Sequence, residues 1–205
     1  MIRGVILAAG ASSRMGRPKA ALPLTDRRDT FVGRLARSFL VGQIPDIVVV
    51  TGAHDPEVRR AVAPRDPRVR FIHNAMWEQG QLSSLHAALR APSAAGHLVE
   101  AIVITLVDVP LVAPATVAAV VHHWRLSRAP IVRPARGDEH GHPVVFDRAL
   151  FDELLSADLE AGAKVVVRAH SRAILNLPVD DPGAFLDVDT EADYAALRAT
   201  LVQRA

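Results

Sequence analysis

Short, nearly continuous apolar runs recur along this chain: GVIL at 4–7, DIVVVTG at 46–52, VRFIH at 69–73 and AIVITLVD at 101–108. Runs of this length, rich in valine and isoleucine and without polar alternation, predict parallel strands covered on both faces. Between them the apolar positions switch to helical spacing over 31–41, 54–63, 83–91 and 114–127. Alternating strands and helices predict a Rossmann-like, doubly wound α/β fold: a mostly parallel sheet with helices on both faces. Beyond residue 130 the alternation loosens. PIVRPA and HPVVF flank the polar turn RGDEHG, which predicts one antiparallel strand there. Helices at 148–157 and 161–169, a strand at 172–177 and a last helix after DVDT complete the pattern. No repeat, low-complexity tract or linker divides the chain, so residues 1–205 read as a single domain.

In open α/β sheets ligands bind beyond the carboxyl ends of the strands. The segments to inspect are therefore 8–19, 52–54, 74–84, 108–110, 141–143 and 187–190. The first belongs to LAAGASSRMGRPKAALP at 7–23, which carries glycines, serines, two arginines and a lysine directly after the first strand. A dinucleotide loop needs G-x-G-x-x-G, but Gly10 is followed by Ala11 and Ser12, and no acidic residue ends the second strand. A Walker loop needs G-x-x-x-x-G-K-[ST]; Gly10 and Gly16 stand one residue too far apart, and Gly16 is followed by Arg17 and Pro18. What remains is a long cationic loop. Its amides near Gly10 suit a phosphate, and Arg14, Arg17 and Lys19 suit the rest of a triphosphate.

Composition narrows the partners. The net charge is only +2, the basic residues are scattered, and aromatics make up 4% of the chain, which leaves little for nucleic-acid binding. No apolar run approaches the ~20 residues that cross a bilayer. The apolar start runs straight into the loop and reads as a buried strand rather than a signal peptide. Without cysteine there are no disulfides and no thiolate metal sites, which fits a reducing cytoplasm. Of the 24 basic residues only Lys19 and Lys164 are lysine, and one of them sits in the opening loop.

Candidate carboxylates stand at two strand ends. Asp108 closes the most apolar run, where a carboxylate is costly unless paired or bound to metal. Asp187 and Asp189 alternate in LDVDT, so on a strand they face one way, and Thr190 is placed to cap the last helix. Ser83 or Ser84 is expected to N-cap the helix that follows. His140 and His142 flank Gly141 without a third soft ligand, so no transition-metal site is expected. His122 and His123 read as helix surface and Trp77 as packing; for Arg17 surface and phosphate roles both stand open.

The full stretch 7–23 resembles the signature L-A-[AG]-G-x-S-x-R-M-G-x-[PD]-K-x-x-L of the nucleotidyltransferases of molybdenum-cofactor biosynthesis. The resemblance continues in NAMWEQGQLSSLHAAL, LVDVP, GHPVVF and DVDTEADYAAL, spread over nearly the whole chain. It implies a Mg²⁺-dependent transfer of a nucleotidyl group, CMP by the family's LAAG rather than LAGG usage at Ala9, from an NTP to the phosphate of molybdopterin, with release of pyrophosphate. Carried over residue by residue, Leu7, Ala8, Ala9, Gly10, Arg14, Lys19, Gly80, Ser83 and Ser84 would bind the nucleotide. Arg14, Lys19 and Asp108 would be catalytic. Asp108 and Asp189, or Asp187 in place of the latter, would hold the metal, and Gly141, His142 and Pro143 would meet the acceptor. CTP and molybdopterin are the expected partners, with transient contact to a molybdoenzyme. The alternatives are guanylyl or other nucleotidyl transfer to a different phosphorylated acceptor, and a non-catalytic cofactor-delivery protein. Two segments depart from the pattern: the charged LTDRRDTFVGRL reads as a lengthened loop, and LEAGAK at 159–164 stands where relatives often show G-D-x-G-A-R.

Overall fold

A computed structural model describes residues 1–26, 29–62, 66–93 and 96–203. Its sheet contains β1 (Ile2–Ala8), β2 (Asp46–Thr51), β3 (Val69–His73), β4 (Ala101–Leu106), β5 (Ile131–Arg136), β6 (Glu139–His140), β7 (Val144–Asp147) and β8 (Ile174–Pro178). The strands lie in the order β3-β2-β1-β4-β7-β5, with β6 and β8 both pairing β5. Pairs β1–β2, β1–β4, β2–β3 and β5–β8 are parallel, while β7 runs antiparallel to both β4 and β5. β7 is the antiparallel strand that the looser pattern after residue 130 predicts. The two-residue β6 makes a short hairpin with β5 across the turn between them.

The helices are α1 (Phe31–Val41), α2 (Asp55–Ala61), α3 (Gln81–Arg90), α4 (Pro114–Ser127), α5 (Phe151–Ser156), α6 (Lys164–Ala169) and α7 (Glu191–Gln203). They cover both sheet faces because successive strand residues point to opposite sides. Ile6 and Ala8 of β1, with Ile47 and Val49 of β2, pack among residues of α1, α2 and α4. Val5 and Leu7, with Val48 and Val50, pack among residues of α3, α5 and α6. A third cluster joins Met15, Leu22 and Leu24 of the opening loop to Tyr194 and Leu197 of α7, which fixes that loop against the last helix. Arg3, buried in the first strand, donates to Asp46 (2.8 Å) and to the carbonyls of Ala88, Ala91 and Pro92, tying the amino end of the sheet together. Among the described residues no helix is long and apolar enough to cross a membrane.

Several element expectations need correction, among them the helix expected at 161–169, which is Lys164–Ala169, and the strand expected at 172–177, which is Ile174–Pro178. Residue 63, the expected end of the second helix, lies outside the described residues, and α2 itself ends at Ala61. α3 starts at Gln81, two residues before the expected start. Gly80, at φ 91°, is its N-cap, a conformation that a side chain would strain, so the chain turns into the helix before either serine is reached. Neither Ser83 nor Ser84 is therefore the cap. Residues 186–189 form no strand; Val188 makes a single backbone bond, its N–H to Asp108 O at 2.8 Å. Thr190 does cap α7: its Oγ1 accepts from Asp193 N–H at 3.2 Å, while Asp193 Oδ2 accepts from Thr190 N–H at 2.8 Å. In the charged stretch after Pro23, residues 27–28 lie outside the description. Asp29 within it forms ion pairs with Arg34 and Arg37 of α1.

Candidate active site

The opening loop leaves β1 through buried Ala9 and turns at Ser12 (φ 53°) and Gly16 (φ 63°). Met15 plugs the third core cluster, and Ser12 Oγ accepts the Lys19 N–H at 3.0 Å, which closes the loop on itself. The end of β2 braces it from beside. Ala53 N–H donates to Ala9 O (3.1 Å), and His54 Nε2 lies 3.0 Å from Ala11 O, so that nitrogen carries the proton. Gly52 makes this approach possible, because a Cβ there would sit 2.5 Å from Ala9 O and 2.7 Å from Trp77 Cβ. Gly52→Ala is expected to lower stability by about 1–3 kcal/mol, the usual cost of overpacking. Chemical denaturation of the variant measures it, and an unchanged midpoint would refute the close packing.

Charge converges where the loop meets the ends of β4 and the 186–189 segment. Lys19, whose side chain is 9% exposed, places Nζ 2.5 Å from Asp189 Oδ1 and 4.0 Å from Asp108 Oδ2. Arg14 grips Asp189 with both nitrogens, at 3.0 and 3.2 Å. Asp108 Oδ1 is shut away from solvent, and among the described residues it has no hydrogen-bond partner. Burial pushes the Asp108 carboxyl above its ordinary range, Lys19 pulls it back, and Asp187 and Asp189 push it up again. Asp189 moves the other way, held below the ordinary range chiefly by the hydrogen bond from Lys19. Arg17 turns outward from this cluster. It pairs with Glu191 through two 2.8 Å bonds and lies over the Tyr194 ring at 5.1 Å, so it anchors the loop to α7. Among the described residues no three His, Cys, Asp or Glu side chains converge as a ready-made metal site. Mg²⁺ does not need one, since it binds through one or two carboxylates plus phosphate oxygens and water.

A pocket of about 280 Å³ lies against this charge, lined by Leu7–Gly10, Arg14, Lys19, Gly80, Ser84 and Asp108 among the residues expected from sequence. Ser83 is absent from its wall. Asn74 Nδ2 donates to Ser83 Oγ (2.8 Å) and Ser84 Oγ (3.1 Å), and Asn74 Oδ1 accepts Met76 N–H at 3.0 Å. Ser83 Oγ also lies 2.8 Å from Gly80 O and 2.9 Å from Met76 O, which occupies it in bracing the 74–84 loop. Pro18, His54 and Trp77 line the pocket as well, although sequence reasoning gave His54 no role and Trp77 only packing. The position of His54 directly after β2 was the available signal.

A larger cavity of about 1140 Å³ adjoins the first and shares Leu7, Gly80, Gln81 and Leu106 with it. His142 borders it, with Nδ1 3.5 Å from Ile104 O and its N–H donating to Ala184 O at 2.8 Å. Burial holds this imidazole below its ordinary pKa, so it is neutral at neutral pH. Gly141 and Pro143 are buried beside it and do not reach the cavity wall. His140 lies exposed on β6. His122 and His123 lie on α4, edge to face at 5.6 Å. Asp187 is exposed, lines neither cavity, and acts electrostatically on both Asp108 and His142.

Residues 4–174 match the MobA-like NTP transferase domain. The chain is 34% identical to the nicotine blue oxidoreductase of Paenarthrobacter nicotinovorans over 92% of both proteins. It is 29% identical to a probable molybdenum cofactor guanylyltransferase of Mycobacterium avium (strain 104), covering 96% of this chain and 94% of that one. Among solved structures it is similar to the Rv0371c protein of Mycobacterium tuberculosis H37Rv in complex with manganese, with TM-score 0.75, 30% identity and 97% of each chain covered.

Proposed function

Since this chain belongs to the family of MobA-like NTP transferase domains, we propose that it moves a nucleotidyl group, CMP by preference, from an NTP to the phosphate of molybdopterin. The observation that carries this reading is Lys19 Nζ, set between Asp189 at 2.5 Å and Asp108 at 4.0 Å on the floor of the smaller pocket. In the reaction an oxygen of the acceptor phosphate forms a bond to the α-phosphorus. The bond from that phosphorus to the β-phosphate oxygen breaks, and pyrophosphate leaves with the electron pair. No protein nucleophile takes part. The work is positioning and neutralising charge.

The side chains divide that work. Arg14 and Lys19 hold the β- and γ-phosphates and offset the charge gathering on pyrophosphate. Asp189 pairs with both cations, and a bound triphosphate would compete for them and release the carboxylate. Asp108 and Asp189 would then hold Mg²⁺, with Asp187 beside them, and the orphaned Asp108 Oδ1 fits a cation rather than a hydrogen-bond donor. The ion would supply positive charge at the α-phosphate and the leaving group. A related protein of this fold has been obtained with manganese, which supports a divalent ion. Ala9 favours CTP, whereas the guanylyltransferase relative favours GTP as a second reading. The product would pass to a molybdoenzyme by transient contact.

Pyrophosphate release, measured with molybdopterin and each NTP in turn, tests the proposal. CTP is expected to be turned over about tenfold faster than GTP; the reverse order would establish the guanylyl reading. Absence of pyrophosphate with every NTP would refute transfer. Redox conversion of nicotine blue in its place would align the chain with its oxidoreductase relative.

A further inference from the structure

The turn at 159–164 that departs from the family pattern lies along the larger cavity, and it opens into α6. Lys164 and Arg168, one helical turn apart on α6, line that cavity together with Arg133 of β5. Val166 of α6 and Ile131 of β5 belong to the same apolar cluster on one sheet face, and Arg133 projects from the same strand face as Ile131. Among the described residues none of these three cations has a carboxylate partner; Arg133 Nε donates to the neutral Asn176 Oδ1 at 2.8 Å. Glu160 and Glu78 also border the cavity, Glu78 next to Trp77 on the nucleotide side. Arg133 is partly buried without a counter-charge, which is costly, and with the exposed Lys164 and Arg168 bordering the same cavity the set suits an anion.

Their location matters as much as their charge. The two cavities meet at Leu7 of β1 and Leu106 of β4, and Arg133 stands three and two strands away from them along the order β1-β4-β7-β5. At about 4.8 Å per strand, Arg133 lies about 10–14 Å to the side of where the cavities join. The floor between is apolar, formed by Leu7, Ile104, Leu106, Val144 and Phe146. His142 borders this middle stretch as a neutral imidazole and offers hydrogen bonding, not charge.

We propose that Arg133, Lys164 and Arg168 form a second anion subsite, which binds an anionic group of the acceptor about 10–14 Å from where the two cavities join. The substrate class is then an elongated molecule with an anionic group at each end and an apolar or flat middle. The inference rests on the transfer reading only for the identity of the near phosphate. It is tested by calorimetric titration of the full chain with decanediol bisphosphate, using decyl monophosphate as control. The bisphosphate is expected to bind about tenfold tighter, as one added charge-assisted contact allows. That preference should vanish in the triple variant Arg133→Gln, Lys164→Gln, Arg168→Gln. It should shrink in Lys164→Gln and Arg168→Gln singly, whose exposed side chains are replaceable without loss of fold. Equal affinity for the two probes, or a preference that survives in the triple variant, overturns the subsite. Because binding is read without turnover, a preference that persists when molybdopterin yields no pyrophosphate refutes the transfer reading and leaves the subsite standing.

Discussion

Asp108→Asn is expected to reduce pyrophosphate release by about 10³-fold or more, the scale of removing one preorganised electrostatic group, without lowering the melting temperature. The two halves of this result have separate causes. Activity falls because an amide cannot supply negative charge to a divalent ion. Stability holds because the wild-type carboxylate is a burden to the fold: Oδ1 is enclosed with no donor, and burial pushes the pKa up. A carboxyl whose folded pKa is raised destabilises most where it is ionised, above that pKa. The penalty fades as pH falls and is gone below the pKa of the unfolded chain. The stability advantage of the variant should therefore be largest at neutral pH and shrink as the pH approaches about 4. Thermal melts at both pH values measure it. A variant that melts lower than the wild type at neutral pH would mean that Asp108 is structural. Full retained activity would move the charge requirement to Asp187 or Asp189.

Sequence made the sheet legible because its strands are buried on both faces and their apolar runs are unbroken. α1, α4 and β3 lie where the periodicity predicts. The start of α3 was not legible, because it depends on the conformation at Gly80 and on what the serine hydroxyls do. Polar residues near a helix start look like caps in sequence, yet Ser83 and Ser84 are used by Asn74, a residue seven positions before the helix. That the loop, Asp108 and the 187–189 carboxylates belong to one candidate site was legible from their places at strand ends. The ion pairs that link them were not, since Lys19 and Asp189 are 170 positions apart and only the fold joins them. The same holds for Arg133, Lys164 and Arg168, which are far apart in sequence and share a cavity only in the fold. Arg3, an arginine next to an apolar run, carried a signal of its own: a buried guanidinium needs acceptors, and four of its five N–H groups donate to carbonyls or a carboxylate.

Removing Lys19 is expected to affect activity and stability together, and a second substitution separates them. Lys19→Ala should lower kcat/KM by about 10²–10³-fold, since a cation next to the leaving pyrophosphate acts mainly in the transition state. It should also destabilise the fold, because Asp108, Asp187 and Asp189 are left with Arg14 alone. Breaking a fully buried pair costs about 3–5 kcal/mol. Asp189 is 36% exposed, so solvent screens the loss to about 1–2 kcal/mol. At this chain length that corresponds to a drop of a few degrees in Tm. The wild-type contribution of Asp189 is present above the pKa of the unfolded carboxyl, because Lys19 depresses it in the fold, and is lost as pH falls through the folded value. The stability gap between Lys19→Ala and wild type should accordingly close in acid. Adding Asp189→Asn to Lys19→Ala relieves the unbalanced carboxylates, so the double variant should recover Tm while staying inactive. Lys19→Arg is predicted to keep Tm but lose part of kcat, since a planar fork replaces a point charge in a nearly buried position. If the double variant regained activity along with stability, Lys19 would be a brace for the loop and not a group that meets phosphate.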